Sequence, residues 1–96
     1  MDIRLSQEAE QDLIEIFDYI LEDNPAAAEK VLDTIQQEIM RLSDYPHLGK
    51  PGRVPKTREL VLSNTPFIIP YQVNGNILEI LRVYHSARRW PEEFKK

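Results

Sequence analysis

Ninety-six residues are enough for one domain, 1–96, with a single core, and leave no room for a second domain or a large enclosed cofactor. The chain has no Cys and two His, which excludes disulfides and thiolate metal sites; neither a metal nor a cofactor is expected. The net charge of −4 is uneven: residues 1–48 hold three Lys/Arg against twelve Asp/Glu, a net of −9, and residues 49–96 hold nine against four, a net of +5.

Asp2–Leu5 alternates polar and apolar residues and predicts a short first strand. Ser6 is a good helix N-cap, with Glu8 and Glu10 in the first turn, where the helix dipole favours anions. Ala9, Leu13, Ile16, Phe17 and Ile20 then form one helical apolar stripe, widened by Ile14 and Leu21. On that reading Asp12, Glu15, Asp18 and Glu22 face away as a solvated surface. Asn24-Pro25 stops this helix and caps the next, whose stripe is Ala28, Val31, Leu32, Ile35, Ile39 and Leu42. Two such helices with almost no linker pack as an antiparallel hairpin that ends near Ser43–Tyr45. The widened stripes of so small a domain predict an exposed apolar groove on the hairpin or the sheet edge.

Pro46–Thr57 reads as a loop, with three Pro and two Gly; Lys50, Arg53, Lys56 and the adjoining Arg58 make it basic. Three strand-like runs follow: Arg58–Ser63, Phe67–Val73 and Ile77–His85, joined by turns at Asn64-Thr65-Pro66 and Asn74-Gly75-Asn76. Pro70 marks a bulge or an outward-facing ladder position. Ser86–Lys96 could make a short turn of helix after Pro91. The expected fold is a two-layer α+β domain, β-α-α-β-β-β, with the helical hairpin on one face of an antiparallel sheet and the other face at least partly open.

The last strand organises the candidate chemistry. Its apolar start (Ile77, Leu78, Ile80, Leu81, Val83) should be central and buried, and its end carries Arg82, Tyr84, His85, Arg88, Arg89 and Trp90. Clustered Arg suits phosphate or carboxylate, His85 could handle a proton near neutral pH, and Tyr84 or Trp90 could stack on a base. Each has a plainer reading. Arg82 in an apolar strand suits an ion pair with Glu59 or Glu79, His85 a hydrogen-bonded strand end, and Trp90 packing of the tail. His47 is isolated and carries no assignment.

The segments GRVPKTREL (Gly52–Leu60), TPFIIPY (Thr65–Tyr71) and ILRVYHSARRWP (Ile80–Pro91) resemble the ParE/RelE superfamily of bacterial toxins, also described as plasmid stabilisation proteins. AEQDLIEIFDYI (Ala9–Ile20), NPAAA and DYPHLGKPGR (Asp44–Arg53) extend the resemblance over nearly the whole chain. It implies the toxin half of a type II toxin–antitoxin module. A cognate antitoxin would neutralise it in a hetero-oligomer and fill the apolar groove, and operon DNA would be met only through the antitoxin. Free toxin would arrest growth.

Two targets follow from the resemblance. RelE-like members are metal-independent endoribonucleases that cut mRNA on the ribosome. Arg58 and Arg82 would then hold phosphate, His85 would protonate the leaving oxygen, and Lys50 and Lys56 would stand in for the basic loop. ParE-like members are not enzymes of that kind and poison DNA gyrase. Arg53, Lys56, Tyr84, Arg88, Arg89 and Trp90 are then the target-binding candidates. A net charge of −4 suits docking among ribosomal phosphates poorly, which favours gyrase. A third possibility is an inactive toxin-like module that only binds the antitoxin. With no basic or apolar leader in MDIRLSQ and no apolar run of the roughly 18 residues a membrane span needs, the expected location is the cytoplasm.

Overall fold

A computed structural model of the chain describes residues 1–62 and 65–85. Asp2–Leu5 forms β1, Gln7–Asp23 forms α1 and Pro25–Asp44 forms α2. Lys50–Pro51 (β2), Arg58–Val61 (β3), Phe67–Asn74 (β4), Ile77–Ile80 (β5) and Tyr84–His85 (β6) follow. The expected turn of helix after Pro91, with Arg88, Arg89 and Trp90, lies outside the described residues.

The helix ends have local causes. The Ser6 hydroxyl accepts from the Ala9 N–H at 3.0 Å and donates to the Leu81 carbonyl at 2.7 Å, so the cap of α1 is also tied to the sheet. Asn24 serves both helices. Its N–H donates to the Ile20 carbonyl, closing α1, and its side chain accepts from the Ala27 N–H, opening α2, with Pro25 in the first turn. One residue between two helices forces them antiparallel.

The sheet runs β1-β5-β4-β3-β2, with β6 also paired to β4. The β3-β4-β5 meander is antiparallel as expected, and its second turn has Gly75 at φ 63°, a conformation that glycine adopts without steric cost. The whole sheet is mixed, because β1 lies parallel to β5 at the edge. Between them the chain passes through both helices and then β2, β3 and β4. Lys50–Pro51, expected as loop, forms a two-residue edge strand against Arg58 and Glu59.

Two further expectations are corrected. The last run is not one continuous strand. Tyr71 faces Ile80 and Ile68 faces Tyr84, so two residues of β4, Ile69 and Pro70, oppose three, Leu81–Val83. This is a bulge. Pro70 causes it: the Leu81 N–H donates to the Pro70 carbonyl at 2.9 Å, but Pro70 has no N–H to return. The second sheet face is also more covered than expected. Ile68, Pro70 and Tyr84 on it are buried and Glu59 is only 2% exposed, whereas Val61 remains 54% exposed.

The core between the layers holds Ile35 and Leu42 of α2 with Ile69, Tyr71, Leu78 and Ile80 of β4 and β5, all fully buried. Each such aliphatic side chain contributes about 1.5–3 kcal/mol. This places β4 and β5 centrally and fixes the bulge against the first turns of α1.

Candidate functional site

The bulge determines where the polar end of the chain points. Released from the ladder, the Val83 N–H donates to Asp12 Oδ2 at 3.0 Å. Arg82 donates to the same carboxylate twice, Nε to Oδ2 at 2.7 Å and Nη2 to Oδ1 at 2.8 Å. Its guanidinium carbon also lies 4.6 Å from the centre of the buried Tyr84 ring. The hydrogen bonds to Asp12 hold Arg82 above its ordinary pKa, against the opposing effect of burial. Arg82 is thus ion-paired, but with Asp12 rather than Glu59 or Glu79. Glu79 instead accepts from Gln72 at 3.0 Å. Asp12 does not face away; it is 4% exposed. Its spacing held a signal, since Ala9, Asp12, Leu13 and Ile16 lie on one helical face.

Strand order sets Arg58 apart from Arg82 and His85. Arg58 faces Tyr71 in the middle of β4, whereas His85 faces Phe67 at its first residue, and β4 lies between β3 and β6. Arg58 donates to the Gly49 carbonyl at 2.8 Å. His85 is exposed at its strand end and sets its ring edge-on to Phe67, with centroids 6.0 Å apart. Beside Arg58, the Tyr71 hydroxyl accepts from the Gly49 N–H and donates to the Pro46 carbonyl, both at 2.9 Å. Burial raises the Tyr71 pKa, with the Gly49 bond and Arg58 opposing. These bonds pin the start of the basic segment to the core.

The basic segment itself is ordered into a hairpin between β2 and β3. Arg53 sends its N–H to Glu59 Oε2 at 2.7 Å, and its Nε lies 3.7 Å from Glu59 Oε1. Arg53, Lys50 and Lys56 are exposed. Among the described residues, no group of His and carboxylates could hold a metal, and no helix is long and apolar enough to cross a membrane.

A groove of about 500 Å³ lies between the helical hairpin and the start of β4. Ile16, Tyr19, Ile20 and Val31 form one wall and Pro66, Phe67 and His85 the other. Asp12, paired with Arg82, and Glu15 also line it. Tyr19 stands 75% exposed beside it and Ile14 is 53% exposed on the same helix.

Comparison with known proteins agrees with this architecture. Residues 3–90 match the family model described as ParE toxin of type II toxin-antitoxin system, parDE. The chain is 43% identical over 90 residues to Y4kP of Sinorhizobium fredii, covering 94% of this chain and 93% of that protein. It is 34% identical over 77 residues to Toxin RelE2 of Caulobacter vibrioides, covering 80% and 85% respectively. A solved chain of the chromosomal ParDE toxin–antitoxin system from P. aeruginosa superposes with a TM-score of 0.81 at 30% identity, over 88% of this chain and 95% of that one. The chain belongs to the ParE toxin family of type II toxin–antitoxin systems.

Proposed function

We propose that this toxin arrests growth by poisoning DNA gyrase and that its antitoxin silences it by filling the groove beside α1. The observation that carries the gyrase reading is the Asp12–Arg82 pair. A cation that neutralises phosphate in an RNA-cleaving site must be able to meet the phosphate. Here the guanidinium fork is already occupied by a carboxylate at 2.7 and 2.8 Å, and Arg58 pairs with Tyr71 on β4 while His85 pairs with Phe67, four residues earlier and across the strand. Arg82 is therefore engaged and Arg58 set apart from it and His85, which supports a protein target.

Purified, antitoxin-free protein should inhibit gyrase supercoiling and accumulate cleaved DNA. No effect, from folded protein that still arrests cells, would shift the reading to mRNA cleavage on the ribosome. The RelE2 relative keeps that reading in view. On the gyrase reading His85→Ala stays toxic, and on the ribonuclease reading it does not. A parent that is harmless without antitoxin would leave only the antitoxin-binding module.

The groove supports the second half of the proposal. It is mainly apolar and bordered by exposed Tyr19, as an amphipathic partner segment requires. His85 belongs to this groove wall, which gives it a role independent of proton transfer.

A further inference from the structure

Pro46–Arg58 contains no Asp or Glu, yet carries Lys50, Arg53, Lys56 and Arg58. The nearest carboxylate in sequence, Glu59, is 2% exposed and turned inward to the Arg53 N–H. The hairpin surface is therefore of one sign, whereas protein interfaces usually interleave charges with apolar anchors. Within residues 50–58 no exposed residue is an aromatic or an amide.

This hairpin is also rigid. Val54–Thr57 is a turn closed by the Thr57 N–H on the Val54 carbonyl at 3.2 Å, and the Thr57 hydroxyl donates to the same carbonyl at 2.6 Å. Gly52 donates to the Thr57 carbonyl at 2.8 Å, and a Cβ at position 52 would sit 2.3 Å from Thr57 Oγ1, so only glycine fits there. Pro51 and Pro55 fix two more backbone angles. Lys56 then occupies the third turn position at φ 67°. That place normally falls to glycine, and Lys56 is the sole non-glycine residue at positive φ among the described residues. A strained, exposed cation on a fully braced tip is the arrangement found where strain serves contact.

We propose that residues 50–58 form a preorganised cationic finger that grips the phosphodiester backbone of duplex DNA, with Lys56 at its point and Lys50 and Arg53 behind it. The contact would be independent of sequence, because phosphate contacts position a protein without reading bases. DNA as the phosphate source rests on the gyrase reading, since DNA is what that enzyme holds.

The test is binding of antitoxin-free protein to a short fluorescein-labelled duplex DNA across a salt series, read by anisotropy. The parent should bind at low salt and weaken as salt rises. Lys56→Gly relieves the strained angle, so it should melt no lower than the parent, while its affinity falls about threefold or more and its log–log salt slope shrinks by about 0.9. Lys56→Arg should bind as the parent does. Arg4→Gln removes an exposed cation at the opposite sheet edge and should change nothing. Lys56→Gly binding like the parent, Arg4→Gln weakening binding as much, or no parental binding at low salt would overturn the finger. A clear preference for duplex RNA would overturn its assignment to DNA. Gyrase inhibition is measured apart from this: DNA binding that depends on Lys56 without any gyrase effect would remove the gyrase reading and leave the finger standing.

Discussion

Asp12 and Arg82, seventy residues apart, meet in a two-pronged ion pair that joins the first turns of α1 to the bulge after β5. The same carboxylate holds the Val83 N–H, so it satisfies three donors at once. Asp12→Ala leaves a guanidinium and a backbone N–H without their acceptor at a half-buried site. A loss of about 3 kcal/mol in unfolding free energy is expected. Chemical denaturation measures it, and a loss below about 1 kcal/mol, the worth of an exposed pair, would show the pair to be dispensable.

Tyr71 gives the fold an alkaline limit. Its pKa is raised in the folded chain, so the folded state holds the phenolic proton more tightly than the unfolded state does. That stabilising contribution is complete below the ordinary tyrosine pKa of about 10 and is lost as pH rises above it, through the folded value. Tyr71→Phe should lower stability at neutral pH by about 1–3 kcal/mol, because the Gly49 N–H loses its acceptor. It should also flatten the decline of stability above pH 10 relative to the parent. Equal alkaline slopes for the two proteins would contradict this assignment.

The groove predicts a separation of folding from antitoxin binding. Tyr19 is 75% exposed and lines the groove, so Tyr19→Glu should leave the melting temperature of the free toxin nearly unchanged. It should weaken the antitoxin complex by about tenfold or more, as loss of an aromatic anchor does. Titration calorimetry with the cognate antitoxin checks this; unchanged affinity would move the antitoxin elsewhere on the surface.

Leu81 is 4% exposed and sits in the bulge between the two strand segments. Leu81→Asp would bury a charge with no built partner, at a cost comparable to the whole stability of a small domain. The expected result is insoluble or unfolded protein. A soluble variant with a cooperative melt would show that this part of the bulge can open to water.

Periodicity and punctuation alone determined much of this protein. The stripes of α1 and α2, the shared cap at Asn24, the β3-β4-β5 meander and the family were all legible, because helical spacing, Pro and Gly act on their own neighbours. Pro70 also announced either a bulge or an outward-facing ladder position, since a missing N–H is a property of the residue itself.

Only the tertiary structure decided which residues meet. Asp12 read as one of several solvated carboxylates until the bulge brought Arg82 and the Val83 N–H to it. Arg58 and His85 looked like members of one cluster until strand order put β4 between their strands and register set them against Tyr71 and Phe67, four residues apart on it. The strain at Lys56 was equally invisible, because a backbone angle forced by packing at Gly52 and Thr57 leaves no mark on the identity of a lysine. Local sequence sets backbone preferences over a few residues, whereas partners this far apart are chosen by register and burial.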